Sequence, residues 1–124
     1  MATTDKYDRQ LRLWGAAGQR ALGETTVILL RATASGTETL KNLVLPGVGK
    51  ILVVDDHAAV HDYASNFFVT KAVNQSRAQV AMELLQELNP DVQGKWKHVE
   101  SMNDVNLEEV VLTAAPDKRY LLVI

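Results

Sequence analysis

Two uninterrupted apolar runs, Thr25-Thr-Val-Ile-Leu-Leu-Arg31 and Lys50-Ile-Leu-Val-Val-Asp55, constrain this chain more than any other feature. Both are rich in aliphatic and β-branched residues, and neither alternates with polar positions. Each therefore reads as a strand buried on both faces of a parallel sheet. The segment between them supplies a covering helix. Ser35-Gly-Thr-Glu38 has the form of a capping box, Leu40, Leu43 and Val44 make an apolar stripe, and Pro46-Gly47 closes the segment. Residues 25–55 thus predict a βαβ unit of about thirty residues. Its strands are parallel, because the crossover is a helix.

The rest of the chain extends this pattern. Ser76-Arg-Ala-Gln79 is a second capping box, and Val80, Leu84, Leu85 and Leu88 line a helix that Asn89-Pro90 stops. Residues 95–99 read as a third strand, 107–112 as a short helix and 119–124 as a fourth strand that runs to the last residue. Residues 56–74, polar and irregular around Phe67-Phe-Val69, read as a long loop with a short helical turn. Residues 5–22 read as an arm or helix broken near Gly15 or Gly18. The expected class is α/β, a Rossmann-like doubly wound parallel sheet in the order 3-2-1-4. An arm occupies residues 1–24 and the domain residues 25–124. A strand-like final hexapeptide leaves an uncovered edge, so the domain is expected to be truncated after its fourth strand.

Composition narrows the function. A length of 124 residues allows one core, and 47% apolar with 23% charged residues is a globular balance. The net charge of -2 gives no basic footprint for a phosphate backbone, so no nucleic-acid partner is expected. The absence of cysteine removes disulfides, thiolate metal sites and thiol nucleophiles. The first six residues carry charge where a signal peptide needs its apolar core, and no apolar run approaches the ~18 residues of a membrane helix. Cytoplasm or nucleus is the expected compartment, with no membrane partner.

A strand, a turn, a helix and an acid about nineteen positions after the turn outline a nucleotide site, with phosphate at the helix amino terminus and Asp55 on a ribose hydroxyl. The working fingerprint needs glycines, so that backbone approaches phosphate without a Cβ in the way. Here the turn is Arg31-Ala-Thr-Ala-Ser-Gly36, and of those glycines only Gly36 is in place. Arg31 and Thr33 fill the space of a pyrophosphate, so the unit reads as structural and Asp55 as a strand-end carboxylate. A stand-alone nucleotide-binding domain is the competing reading. His57 and His61 beside Asp55, Asp56 and Asp62 superficially suggest metal ligands, but loop spacing fixes no geometry, and no metal site is expected. His98 is treated likewise.

The opening Lys6-Tyr-Asp-Arg-Gln-Leu-Arg-Leu-Trp-Gly15 resembles the signature of the activating enzymes for ubiquitin-like modifiers, a family that includes the bacterial MoeB and ThiF adenylating enzymes. Ala32–Glu38, Leu40–Gly49, Asn66-Phe-Phe68 and Met82–Asn89 extend the resemblance along essentially the whole chain. It is strongest to the regulatory, non-catalytic subunits of the neddylation branch, with those of the SUMO branch as the alternative. The resemblance implies a ThiF-type fold and a heterodimer of one active and one degenerate domain. The active partner holds ATP and magnesium, adenylates the modifier and then carries it as a thioester. This chain would be the degenerate half, not catalytic by itself and binding no cofactor alone. The active half's loop arginine and glutamine appear here as Ser65 and Asn66, and its lysine as Arg77. Arg9 matches the family arginine that reaches in trans to the ATP phosphates in the partner's site. Tyr7, Leu11 and Trp14 form the apolar side of the same arm, packing on the partner or on this domain.

Overall fold

The computed structural model describes residues 6–57, 76–115 and 121–124. The expected long loop falls mostly outside them, as do His61, Asp62, Ser65, Asn66 and the start of the last strand. The described elements, in chain order, are α1 (Asp8–Gly23), β1 (Thr26–Leu30), α2 (Ala34–Val44), β2 (Lys50–Asp55), α3 (Arg77–Leu88), β3 (Gln93–His98), α4 (Leu107–Ala114) and β4 (Leu121–Val123). The strands form one parallel sheet in the order β3-β2-β1-β4, as the sequence predicts.

Register follows from alternation in β1 and β2. Thr26 pairs with Lys50 and Leu30 with Val54. Val27, Leu29, Ile51 and Val53 then face the helices α2 and α3, where Leu40, Val44, Ala78, Ala81 and Leu85 complete a fully buried layer. Ile28 and Val54 point to the other face, which Val110 of α4 covers with partly buried neighbours. Two covered faces explain why these strands carry no polar alternation.

Helix boundaries correct the sequence reading in two places. Thr33, not Ser35, caps α2: it is extended, and its hydroxyl accepts from Gly36 N at 3.2 Å. The chain enters the helix two residues early because the reversal is made at Arg31, with φ 75. The second box holds in part, since Ser76 Oγ accepts from Gln79 N, while the Gln79 amide turns outward to Glu83. The break in α1 is at Gly15, where φ 74 and ψ 176 interrupt the helix. Positive φ is a conformation that glycine adopts without steric cost.

Candidate functional site

The carboxyl ends of β1 and β2 are where an open α/β sheet receives its ligands. Arg31 leaves β1 in the left-handed region, donating its backbone N–H to Val54 O at 2.8 Å. That conformation costs a non-glycine residue roughly 1–2 kcal/mol. The backbone makes the turn of a glycine-rich loop, and the half-exposed side chain extends to within 4.0 Å of Asp56. Gly36 serves packing: a Cβ there would lie 3.0 Å from Leu29 Cδ1 and 3.1 Å from Arg31 O. This is the close helix–strand approach that the last glycine of such a loop provides.

Asp55 ends β2 with its side chain fully buried. Its Oδ1 accepts from Arg77 Nη2 at 2.9 Å and Asp56 N at 2.8 Å. Its Oδ2 accepts from Arg77 Nε and from Ala32 N, the latter at 3.1 Å. Burial pushes the carboxyl pKa up, but the bond and charge of Arg77 and the two backbone N–H groups outweigh it, leaving the pKa below its ordinary 3.8. Arg77 opens α3 and is itself buried. The carboxylate that would meet a ribose is therefore closed by four donors of its own chain, and this corner does not fit a nucleotide.

Asp56 and His57 follow. Asp56 Oδ2 accepts from Met102 N at 2.9 Å, and Oδ1 lies 2.7 Å from His57 Nδ1 and 4.0 Å from the Arg31 guanidinium. The Met102 bond leads in holding the Asp56 carboxyl below its usual range; His57 and Arg31 assist against partial burial. Ligand atoms of Asp55, Asp56 and His57 lie within 4.8 Å of one another. Those of Asp55 are taken by Arg77 and backbone, so the trio reads as a loop-closing network. His98 is exposed at the end of β3.

The arm is the second region. Tyr7, Gln10 and Leu11 share its inward face at helical spacing. Tyr7 is 4% exposed, its hydroxyl bonded to Asn89 and Asp91, so it packs on its own domain. Gln10 donates to Pro46 O at 2.6 Å, and Gln19 reaches the same carbonyl at 3.1 Å. Leu11 is half-buried over a groove of about 540 Å³ at the opposite end of the sheet from Asp55, beside Arg20, Gly49, Lys50 and Gln93. Trp14 is 44% exposed, with its indole N–H on Gln19 Oε1 at 3.1 Å. Arg9 is exposed, and its side chain makes no hydrogen bond or ion pair among the described residues. Leu13, 74% exposed and four residues from Arg9, is the most exposed large apolar side chain of the arm, ahead of Trp14. Sequence reasoning passed over Leu13, although its helical spacing from Arg9 marked it.

Residues 7–115 match the ThiF family. Over 93 residues the chain is 58% identical to the NEDD8-activating enzyme E1 regulatory subunit of Danio rerio, a match covering 73% of this chain and 17% of that protein. The Drosophila melanogaster protein of the same name is 50% identical over 93 residues, 73% of this chain and 18% of the relative. The chain thus spans less than a fifth of these relatives. The fold is shared with the Escherichia coli tRNA N6-threonylcarbamoyladenosine dehydratase TcdA in complex with AMP, at a TM-score of 0.72, 17% identity, 97% coverage of this chain and 48% of that one. No helix among the described residues is long and apolar enough to cross a membrane.

Proposed function

Because the chain belongs to the ThiF family, we propose that it is the amino-terminal part of a non-catalytic regulatory subunit of a NEDD8-activating enzyme. It pairs with a catalytic subunit that holds ATP and magnesium, adenylates the modifier and takes it as a thioester. Its compartment is the cytoplasm or nucleus. The observation that carries this reading is the 58% identity to a protein named as that regulatory subunit. The Asp55–Arg77 closure supports it, since a degenerate half has no use for an open nucleotide corner.

The chain's own contribution is Arg9. A guanidinium offers planar donors to charge developing on phosphate, and it need not share a chain with the nucleotide pocket. Leu13 and Trp14, exposed on the same arm, supply apolar contact to the partner at that approach. The names of the relatives favour the neddylation branch over the SUMO branch.

The test is co-expression of the complete subunit with the catalytic subunits of the two pathways. The expected result is a stable complex with the neddylation partner and ATP-dependent adenylation of NEDD8. Recovery with the SUMO partner instead, or micromolar ATP binding by this chain alone, overturns the reading.

A further inference from the structure

We propose that Tyr7 and Asn89 are positioning residues: together they pin the arm to the domain and thereby set where Arg9 is held. The proposal rests on the reading that Arg9 acts in the partner's site, and it adds how the guanidinium is placed there.

The Asn89 amide is fully engaged. Its Nδ2 donates to Tyr7 Oη at 2.9 Å and to Val44 O at 2.9 Å, with Leu45 O at 3.4 Å. Its Oδ1 accepts from Lys6 Nζ at 2.6 Å and from Asp91 N at 3.1 Å. Tyr7 Oη donates to Asp91 Oδ2 at 2.9 Å, and Lys6 Nζ donates to the same oxygen at 3.1 Å. One side chain at the end of α3 thus ties together the start of the arm, the last carbonyls of α2 and the turn into β3. Tyr7 and Asn89 are both buried, so the Asn89 bonds to Tyr7 and Val44 form where water does not replace them.

The ring is seated as firmly as the hydroxyl. It lies against Gly47, where φ is +102 and a Cβ would stand 2.9 Å from the ring. Gly47 therefore serves two ends: it turns the chain after α2 and leaves room for Tyr7. The Gln10 bond to Pro46 O fixes the next inward position of the arm.

This pin bears on Arg9 because no side-chain bond of its own orients that residue among the described residues. The guanidinium therefore inherits its pose from the backbone between Tyr7 and Gln10. Downstream, the helix break at Gly15 is a point about which an unpinned arm can swing. Placement matters to such a group, since a misplacement of about 1 Å costs on the order of a hundredfold in rate.

The test uses the complete subunit, free and with its catalytic partner, carrying Tyr7→Phe, Asn89→Ala, Arg9→Ala or Tyr7→Phe with Arg9→Ala. Tyr7→Phe keeps the ring and removes only the hydroxyl, so folding is preserved. In the free subunit, tryptic cleavage after Arg9 and Arg12 is expected to quicken by about tenfold in Tyr7→Phe and by more in Asn89→Ala. In the complex at saturating catalytic partner, Tyr7→Phe is expected to slow adenylate formation by about tenfold, with the KM for the modifier unchanged. The double variant is expected to be no slower than Arg9→Ala, because both changes act through one guanidinium. Unchanged cleavage in Tyr7→Phe, or a double variant with fully multiplied defects, overturns the proposal. Arg9→Ala with full adenylation refutes the Arg9 reading instead, and the cleavage assay then still decides whether the arm is pinned.

Discussion

Arg77 and Arg9 carry the same guanidinium and are placed in opposite settings. Arg77, 5% exposed, is bonded to a buried carboxylate at the end of the sheet, and that pair closes the corner where this fold ordinarily receives a nucleotide. Arg9 stands on a surface arm with its donors uncommitted among the described residues. A buried pair binds its charges to each other within the fold, whereas an exposed guanidinium on an anchored backbone keeps its donors toward solvent. The difference teaches how burial sets a guanidinium's use: one is consumed in holding the fold, and the other is left at the surface of the arm.

The buried side of this comparison breaks most visibly. Asp55→Ala leaves Arg77 charged and buried without its carboxylate, and is expected to cost about 3–5 kcal/mol in urea unfolding. A cost under about 1 kcal/mol would mean that the pair does not hold the corner shut. The same pair sets an acid limit. The folded Asp55 pKa lies below its ordinary 3.8, so on acidification the unfolded state takes up the proton first. Its stabilisation is complete above that ordinary value and lost as pH falls through the folded one. Unfolding measured from pH 6 to 2 should show this decline, and Asp55→Asn should flatten it.

Smaller effects sharpen the contrast. Gly47→Ala forces a Cβ into the Tyr7 ring at an unfavourable φ and is expected to cost about 1–3 kcal/mol, with the arm becoming more susceptible to trypsin. Arg31→Gly relieves the left-handed strain and is expected to raise stability by about 0.5–1 kcal/mol, part of the relief being offset by a freer unfolded chain. Calorimetric titration of that variant with ATP and magnesium should remain silent, because Asp55 and Arg77 still fill the corner.

Sequence legibility followed locality. β1 and β2 were visible because burial on both faces leaves an unbroken apolar run, and β2 was read at its observed bounds, Lys50–Asp55. The reading of β3 as 95–99 starts two residues late and ends one residue too far: Gln93 and Gly94 carry no apolar signal, and an exposed edge strand takes its start from pairing with Lys50 and Ile51. The missing glycines at Arg31 and Thr33 were legible, but the closure of Asp55 was not. Its partner Arg77 lies 22 positions away and looked like a simple replacement for a lysine. Asn89 was readable only as a helix stop, since its bond to Tyr7 spans 82 positions and no local pattern encodes it.

The decisive measurement is the rate of ATP-dependent adenylate formation by the complete heterodimer carrying Arg9→Ala. Loss of a preorganised donor to phosphate predicts a rate lower by about a hundredfold, with the complex still assembling at wild-type affinity. An unchanged rate would contradict the assignment of Arg9 and leave the arm as a docking element only.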